Sequence, residues 1–366
     1  MKIGIDGIAL TIRFPCGTRH YAEQLLRHLA AIDHRNTYVV FSPEHVAIPY
    51  ASNFSLRIIQ SGLPFFRRQL WLPFAVRREH VDVFHYLHPY GAIFFRHPNI
   101  VTTVHDVALD AIFSGVNNAK YIFQHYYCAM TRQGVFRNTK RFITVSNTVK
   151  IELSHFLESL ALQTEIDVIP SGVDKRFETI TKHRMSAQYL LTMADYSRRK
   201  NIFRTLRAYA RLSSSIKNIY RLKIIISTSY PRKHIADTVK ELNIIERVDI
   251  VEGATTQQLI ELYNHATCFL YPSLYEGFGL PILEAMACGC PVITSNRGAT
   301  AEVAGDAAYL VNPESTSAIA QAITRIVSYH ATASSLQEKG RQRAALFSWR
   351  HTAQEALRVY EEVYRS

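Results

Sequence analysis

Short apolar runs rich in β-branched and aromatic residues alternate with longer amphipathic segments along the whole chain. This alternation predicts parallel sheets with helices on both faces, because parallel strands need long crossover connections that are usually helical. The predicted strands are 3–6, 38–41, 56–59, 81–85, 100–105, 141–145 and 165–169, then 189–193, 222–227, 248–251, 267–271, 291–295 and 308–311. The predicted helices include 18–31, 121–136, 147–157, 201–212, 256–265 and 314–328.

The two series of strands predict an α/β protein with two doubly wound, Rossmann-like domains. The chain has 366 residues, whereas a single hydrophobic core seldom grows beyond about 250–300 residues. A polar stretch that begins at residue 170 predicts a first domain of 1–178 and a second of 179–345, followed by a C-terminal segment of 346–366. Open α/β sheets bind ligands beyond the carboxyl ends of their strands, so we expect the site in a cleft between the domains.

The segment 275–286, with the sequence YEGFGLPILEAM, places two carboxylates on either side of a Gly-x-Gly loop. Gly277 and Gly279 lack a Cβ atom, so their backbone can approach a ligand closely or adopt a positive φ. Glu276 lies in the loop and Glu284 inside the helix that follows, and ionised carboxylates accept hydrogen bonds from hydroxyl groups. The motif indicates a polyhydroxylated ligand. Alternatively, the glutamates simply favour a helix N-terminus.

Three basic residues, Arg198, Arg199 and Lys200, separate the predicted strand 189–193 from the next helix. Cations are slightly unfavourable at a helix N-terminus on dipole grounds, so the cluster favours a bound anion such as a pyrophosphate. A plain surface cluster is the alternative interpretation.

The first half of the chain offers weaker candidates. His105 and Asp106 end a predicted buried strand, where the imidazole could contact a ligand hydroxyl and Asp106 could fix its tautomer. A purely structural histidine is the alternative. Gly17 and Thr18 precede a helix and predict a phosphate-facing turn of low specificity.

The net charge of +12 is unevenly distributed. No acidic residue occurs between Glu44 and Glu79, or between Asp110 and Glu152. The first of these stretches interleaves basic residues with aromatic and other apolar ones, namely Arg57, Phe65, Phe66, Arg67, Arg68, Leu70, Trp71, Phe74, Arg77 and Arg78. Such a pattern suits an anionic membrane surface, an anionic ligand or nucleic acid, or else a solvated basic face. Nucleic acid is the weakest choice, since no binding motif accompanies the charge.

Several function classes lose support from the sequence. The chain contains no Asp-x-Asp, no Walker loop, no Gly-x-Ser-x-Gly and no Gly-x-Gly-x-x-Gly. Its histidines, cysteines and carboxylates show no metal-ligand spacing, so we expect neither a metal nor another cofactor. No apolar run reaches the ~20 residues of a membrane span, and the N-terminus reads as a strand, so we expect a cytoplasmic protein.

These motifs together resemble the retaining glycosyltransferases of family 4, which have the two-domain GT-B fold. The resemblance is carried by TVHD at 103–106, TVS at 144–146, VIPSGVD at 168–174, RKN at 199–201, the long segment 272–286 and PVITSN at 291–296. The segment from 347 to 360 is similar to the family's last helix, which crosses back to the first domain.

The resemblance implies that the second domain holds a nucleotide-sugar donor and the first domain an acceptor. Glu284 matches the glutamate that binds the nucleotide ribose, and Glu276 matches the one that contacts the donor sugar. The donor-binding loop would also include Gly277, Phe278, Gly279 and Leu280.

Two more matches concern the reacting groups. Arg199 and Lys200 match the basic pair that neutralises the diphosphate, and His105 matches a histidine that contacts the donor sugar near its reacting carbon. The chain departs from the pattern at Ala194 and Asp195, where many members have glycine and arginine, and in the reduced glycine turn at 15–19.

The motif combination resembles bacterial mannosyltransferases of surface-polysaccharide assembly. It implies GDP-mannose as the donor and a lipid-linked oligosaccharide, such as growing O antigen of lipopolysaccharide, as the acceptor. The enzyme would be retaining, metal-independent and peripheral on the inner face of the cytoplasmic membrane. A UDP-sugar donor is the alternative. Hypotheses from other classes are a non-catalytic nucleotide-sugar- or glycan-binding subunit and an RNA-binding protein.

Overall fold

A computed structural model of the protein describes residues 1–12, 16–59, 63–107, 119–180, 188–195, 197–228, 230 and 232–366, with the backbone alone at 64 and 119–125. Pro15 of the reduced glycine turn lies outside the described residues, as does part of the polar stretch before residue 188. The chain divides into two compact units. The first unit comprises Met1–Gly172 and Ser348–Ser366, and the second unit comprises Val173–Phe347.

The first unit is built on a seven-stranded sheet in which every described pair of strands is parallel. Its strands are β1 (Lys2–Asp6), β2 (Thr37–Ser42), β3 (Phe54–Ile58), β4 (Val83–Tyr86), β5 (Ile100–Val104), β6 (Arg141–Thr144) and β7 (Glu165–Val168). Their order in the sheet is β3-β2-β1-β4-β5-β6-β7, so the direction of strand progression reverses between β1 and β4. That switch point is where a doubly wound sheet leaves a crevice for ligands.

Four helical segments of the first unit precede its last strand. They are α1 (Gly17–Ile32), α2 (α-helical at Pro64–Phe66 and Leu72–Arg78 with a π-helical turn at Arg67–Trp71 between), α3 (Ala119–Asn138) and α4 (Asn147–Ser159). A short 3₁₀ turn, Gly7–Thr11, follows β1, and the Asp6 side chain accepts a hydrogen bond from the backbone N–H of Ile8.

The second unit repeats the doubly wound plan on a six-stranded parallel sheet. Its strands are β8 (Tyr189–Ala194), β9 (Arg221–Ile226), β10 (Val248–Glu252), β11 (Cys268–Tyr271), β12 (Val292–Ser295) and β13 (Tyr309–Val311), in the order β10-β9-β8-β11-β12-β13. Its helices are α5 (Ile202–Ala210), α6 (Ser214–Ile219), α7 (Arg232–Glu241), α8 (Thr256–His265), α9 (Leu280–Ala287), α10 (Gly298–Ala304), α11 (Thr316–Ser328) and α12 (His330–Ala345). The predicted fold class, two doubly wound parallel α/β sheets, is confirmed.

The C-terminal helix, α13 (Trp349–Arg365), belongs to the first unit and packs along α1. Trp349 is buried at its start, with its ring edge-on to Tyr21 of α1 at 5.7 Å. The Thr352 hydroxyl donates to the carbonyl of Pro170 at 2.7 Å. Arg358 pairs with Asp167 of β7 at 3.0 Å. These contacts join α13 to the sheet edge and to the first helix of the same unit.

A buried polar chain also fixes α13. Tyr360 Oη lies 2.7 Å from His85 Nδ1 of β4, and His85 Nε2 lies 2.8 Å from Thr103 Oγ1 of β5. Burial lowers the pKa of His85 to about 3, with a smaller effect from His105, so its imidazole is neutral at physiological pH. Both ring nitrogens are therefore satisfied by hydroxyl groups inside the core.

Replacing Tyr360 with phenylalanine should destabilise the first unit by about 1–3 kcal/mol, because it leaves the buried His85 Nδ1 without a partner. Chemical denaturation of the full chain measures this loss. The control is Tyr364→Phe on the exposed face of the same helix, which should change stability by less than about 0.5 kcal/mol. Equal stability of both variants would show that the His85 chain does not hold the helix.

No helix among the described residues is long and apolar enough to cross a membrane.

Candidate active site

The two most informative sequence motifs flank the switch point of the second unit. The strand order reverses between β8 and β11, which are neighbours in the sheet. The basic motif follows β8 as a 3₁₀ turn, Arg198–Lys200, and the glutamate loop follows β11. Because the carboxyl ends of parallel strands meet at one edge, these two loops lie side by side where ligands bind in such sheets.

An ion pair joins the two loops. Lys200 Nζ lies 2.7 Å from Glu276 Oε1, and both side chains are largely buried. Tyr271, the last residue of β11, donates its hydroxyl to the same Glu276 oxygen at 2.8 Å, and Lys200 Nζ also contacts the Tyr271 hydroxyl. We call Lys200, Tyr271 and Glu276 the switch-point cluster. It presents a cation and an anion within one hydrogen-bonded group.

The cluster keeps Glu276 ionised. Burial opposes ionisation of this carboxyl, but the charge of Lys200 and the hydrogen bonds from Lys200 and Tyr271 outweigh it, and the pKa of Glu276 is lowered. Asp195, just after β8, shows the opposite balance: burial raises its pKa although Lys200 and Arg199 oppose the rise. Glu276 is thus a permanent hydrogen-bond acceptor at neutral pH.

Asn201 fixes the position of the basic turn. Its backbone is left-handed, with φ of 58°, and its buried amide donates to the carbonyls of Pro272 and Pro313 at 2.9 and 2.7 Å. The carbonyl of Arg199 accepts a hydrogen bond from Leu274 N at 2.7 Å. The basic turn is therefore held by backbone groups of the loops that follow β11 and β13, and it is positioned before any ligand arrives.

The glutamate loop enters α9 through a glycine with a positive φ. Gly279 has φ of 111°, a region that favours glycine, and it is the residue that precedes α9. Phe278 is buried, with its ring 5.9 Å from that of Phe347. Helix α9 begins at Leu280, so Pro281 is in its first turn.

Glu284 occupies a different environment one turn into α9. Its Oε2 lies 3.5 Å from the hydroxyl of Tyr263 on α8. Burial raises the pKa of Glu284 to about 7, and the Tyr263 hydrogen bond opposes this only weakly. The two glutamates of the motif therefore differ in charge near neutral pH, since one is ionised and the other is close to its titration point.

In the first unit, His105 follows β5 and is held as a neutral acceptor. Its Nε2 lies 3.0 Å from the carbonyl of Leu87, and its ring packs edge-on against Tyr21 at 4.7 Å. Burial lowers the pKa of His105 to about 4. Nε2 therefore carries the proton, and Nδ1 is left with a lone pair that can accept a hydrogen bond from a hydroxyl. Leu87 fixes this tautomer, where the sequence analysis expected Asp106.

The other first-unit candidates lie at the start of α1. Gly17 is the first residue of the helix and is exposed, and a Cβ added there would meet no atom within 4 Å. Thr18 follows it within the first turn and is partly exposed. Their proposed role as a phosphate-facing turn stays a prediction.

Sequence reasoning did not find several residues that shape the site. Tyr271 looked like the last apolar residue of a buried strand, and Tyr263 like an ordinary core residue of a helix. Leu87 acts through its backbone, so no side-chain signal could reveal it. Asn201 was visible in the motif, but its two carbonyl partners depend on the tertiary arrangement of distant loops.

Comparison with known proteins now decides the family. Residues 15–177 match the model described as Glycosyltransferase Family 4, and residues 174–343 match the model described as Glycosyl transferases group 1. The chain belongs to the family 4 glycosyltransferases. The second match contains the basic turn, the switch-point cluster and α9.

One curated relative and two solved structures illustrate the similarity in sequence and in fold. The glycosyltransferase is 28% identical over 314 residues to the O-antigen chain mannosyltransferase B of Escherichia coli, covering 81% of this chain and 77% of that one. Sucrose-phosphate synthase from Thermosynechococcus elongatus has the same GT-B fold, with a TM-score of 0.79 and 22% identity over 100% of this chain and 99% of the other. Anabaena HepE in complex with UDP-glucose matches with a TM-score of 0.73 and 15% identity, covering 99% and 100%.

Within the part of the glycosyltransferase that the structure describes, no group of three or more His, Cys, Asp or Glu side chains could hold a metal ion.

The raised pKa of Glu284 predicts a pH-dependent stability. Its folded pKa of about 7 exceeds its ordinary value of 4.5, so ionisation increasingly penalises the folded state as pH rises from 4.5 towards 7. Glu284→Gln removes this penalty. The variant should therefore be more stable than the wild-type glycosyltransferase by about 2–3 kcal/mol at pH 8, and by much less at pH 5. Thermal unfolding at the two pH values measures the difference.

Glu261→Gln, at an exposed position on α8 of the same unit, serves as the control and should change stability little at either pH. A stabilisation of Glu284→Gln that is the same at pH 5 and pH 8 would contradict the raised pKa.

Proposed function

We propose that this glycosyltransferase transfers mannose from GDP-mannose to a growing lipid-linked surface polysaccharide such as O antigen, with retention of anomeric configuration. The observation that carries the proposal is the switch-point cluster, in which Lys200 and Glu276 lie 2.7 Å apart beside the Gly-x-Gly entry to α9. The relative from Escherichia coli named as an O-antigen chain mannosyltransferase supports the choice of sugar and acceptor.

The donor binds through complementary groups of the second unit. Arg199 and Lys200 carry the positive charge that matches a diphosphate, and bonds from charged donors to phosphate oxygens are among the strongest in proteins. Glu276, ionised by its neighbours, accepts hydrogen bonds from hydroxyls of the donor sugar. Backbone groups at Gly277, Phe278, Gly279 and Leu280 complete the sugar and phosphate contacts. Glu284 accepts from the ribose hydroxyls.

The chemical step breaks the bond between the anomeric carbon and the diphosphate oxygen. Negative charge grows on that oxygen, and the preorganised cations stabilise it without reorganisation. An acceptor hydroxyl forms the new bond on the same face of the sugar, and its proton passes to the departing diphosphate. No metal is needed in this scheme, because the two cationic side chains take the role of counter-charge.

His105 contributes as a hydrogen-bond acceptor in this proposal. Its Nε2 proton is held by Leu87, so the free Nδ1 can orient a sugar hydroxyl. A neutral imidazole suits this task, since a protonated one could only donate. His105 therefore positions a sugar and does not act as the acid or base of the reaction.

A UDP-sugar is the alternative donor, because a structural neighbour of this chain is known in complex with UDP-glucose. Neither the switch-point cluster nor Glu284 distinguishes the bases, since both address the sugar, the phosphates and the ribose. The alternative from another class, a non-catalytic subunit, would bind the same donors without turnover.

A donor screen by calorimetry and product release tests the proposal. Purified protein should turn over GDP-mannose in the presence of a mannose-terminated acceptor, and EDTA should leave the rate unchanged. Turnover with UDP-sugars but not with GDP-mannose would support the alternative donor. Donor binding without turnover would favour the non-catalytic subunit. Loss of all turnover in EDTA would refute the metal-free scheme.

Substitution of Lys200 tests the role of the switch-point cluster. Lys200→Met should lower kcat by about 10²–10³-fold, because one preorganised group that stabilises the leaving diphosphate is lost. The matched control is Arg198→Met, which removes a cation from the same turn where the side chain is exposed; its kcat should change by less than about threefold. Circular dichroism verifies folding. Equal activity of both variants would show that Lys200 has no part in the chemistry.

We also propose that the protein works on the inner face of the cytoplasmic membrane, held there by one face of α2. Exposed apolar residues on this helix lie beside exposed arginines, and we call the set the aromatic–arginine patch: Phe65, Phe66, Leu70, Trp71, Phe74, Arg77 and Arg78. Large aromatic and apolar side chains insert at the headgroup level, and arginines attract anionic lipids. A lipid-linked acceptor would be reached from such a position.

A double substitution, Trp71→Ser with Phe74→Ser, should weaken binding to phosphatidylglycerol-containing vesicles by about tenfold or more. The reason is that the variant lacks two large apolar side chains that the bilayer would otherwise bury. Vesicle flotation measures binding. Ile219→Ser, an exposed apolar residue of the second unit, is the control and should bind like wild type. Two results would contradict the membrane assignment. One is that the wild-type protein binds neutral vesicles as well as it binds phosphatidylglycerol-containing ones. The other is that it prefers single-stranded RNA, with a steep dependence on salt.

A further inference from the structure

The first unit contains a cavity of about 640 Å³ that the donor site does not use. It lies at the carboxyl edge of the sheet, where Asp6 ends β1, Phe41 and Ser42 end β2, and Ile59 follows β3. Helices α2 and α3 supply the remaining walls. The cavity therefore lies at the ligand-binding edge of this sheet, next to the switch point between β1 and β4.

Most of the cavity wall is apolar. The side chains that form it include Phe41, Ile59, Phe65, Leu72, Tyr126 and Met130. Such a wall favours a hydrocarbon ligand, since apolar surface is driven out of water wherever a matching surface is offered.

One end of the cavity is polar and incompletely satisfied. Asp6 is 3% exposed, and its Oδ2 has no hydrogen-bond partner among the described residues. Arg68 Nε, at the same end, is also buried without a hydrogen-bond partner among the described residues. Arg68 Nη2 lies 3.8 Å from Asp6 Oδ2. Buried polar atoms in native structures nearly always have partners. A ligand hydroxyl could donate to Asp6 and accept from Arg68, and so satisfy both.

The charge at this end suits a neutral hydroxyl better than a free anion. Asp6 and Arg68 offset one another, and the pKa of Asp6 is raised by burial against the opposing charge of Arg68. His88 Nε2 lies 4.0 Å from Asp6 Oδ2, and burial together with Arg68 and His105 holds its pKa well below the ordinary value, so it is neutral. A phosphate placed at this end would meet the Asp6 carboxylate beside the Arg68 guanidinium, and Arg67 also lines the cavity.

The mouth of the cavity adjoins the aromatic–arginine patch. Phe65 belongs to both, since it lines the cavity and is half exposed on α2. Tyr126 and Met130 of α3 also line the cavity and are exposed. A chain that leaves a bilayer under this patch could thus enter the cavity without crossing open water.

We propose that this cavity receives the acceptor as an amphiphile, with an alkyl or isoprenoid chain along the apolar wall and a hydroxyl of its sugar held between Asp6 and Arg68. The inference rests on the proposed function, because it takes the acceptor to be lipid-linked. It adds a requirement for the apolar chain itself, and it assigns Asp6 and Arg68 as residues that position the acceptor.

Calorimetry with n-decyl mannoside and methyl mannoside, each below micelle-forming concentration and without donor, tests the proposal on the full chain. The decyl compound should bind at least about tenfold more tightly, since even a few buried methylenes give that ratio. Ile59→Trp, which fills the cavity, should remove this advantage. Ile151→Trp, at an exposed position on α4 outside the cavity, should keep it.

A second variant addresses the polar end. Asp6→Asn keeps a side-chain oxygen for the N–H of Ile8 and should weaken decyl mannoside binding several-fold, while the affinity for GDP remains that of wild type. Equal binding of the two mannosides to wild type, or undiminished decyl mannoside binding by Ile59→Trp, would overturn the proposal and leave a cavity filled by water.

The assay also separates this proposal from the proposed function. If decyl mannoside binds as expected but GDP-mannose is never turned over, the cavity assignment stands and the donor assignment fails. If GDP-mannose is turned over equally well with both mannosides at matched concentrations, the function stands and the cavity assignment fails.

Discussion

The ion pair between Lys200 and Glu276 is the interaction on which the candidate site depends. It bridges the loops that leave β8 and β11 at the point where the strand order of the second sheet reverses. Each side chain is largely buried, and breaking such a pair leaves an uncompensated charge at a cost of about 3–5 kcal/mol. The pair therefore places a cation and an ionised hydrogen-bond acceptor next to one another, and Asn201 holds the turn that carries the cation.

The surroundings of each titratable side chain set its charge state, so similar side chains differ in charge. Burial by itself raises the pKa of both glutamates. For Glu276, the charge of Lys200 and the hydrogen bonds from Lys200 and Tyr271 outweigh this effect, so the carboxyl is ionised. For Glu284, one helix turn inside α9, a single contact with a hydroxyl does not outweigh it, and the pKa is raised to about 7. His105 is neutral, because burial lowers its pKa. Its Nε2–H donates a hydrogen bond to the carbonyl of Leu87. The second unit thus contains a fixed anion and a titrating carboxyl within one motif, and the first unit contains a neutral acceptor.

The two units share a topology but differ in chemistry. Both are doubly wound parallel sheets with a single reversal of strand order. At the switch point of the second unit the loops carry charge, and at that of the first unit an apolar cavity ends in Asp6 and Arg68. The fold supplies a ligand-binding edge in each case, and the loops decide what binds there. The proposed hydrophilic donor and amphiphilic acceptor match this contrast.

The sequence by itself determined the elements, the two parallel sheets and the motif residues, because strand and helix periodicity and glycine placement are local properties. It did not reveal the helix at 64–78, whose arginines and aromatics were read only as a charge pattern, since its partners are distant in sequence. Only the tertiary structure decided that Lys200 pairs with Glu276, that Tyr271 and Leu87 serve the site, and that the two glutamates of one motif differ in pKa. Those properties depend on burial and on contacts between residues far apart along the chain, and single-residue patterns do not encode them.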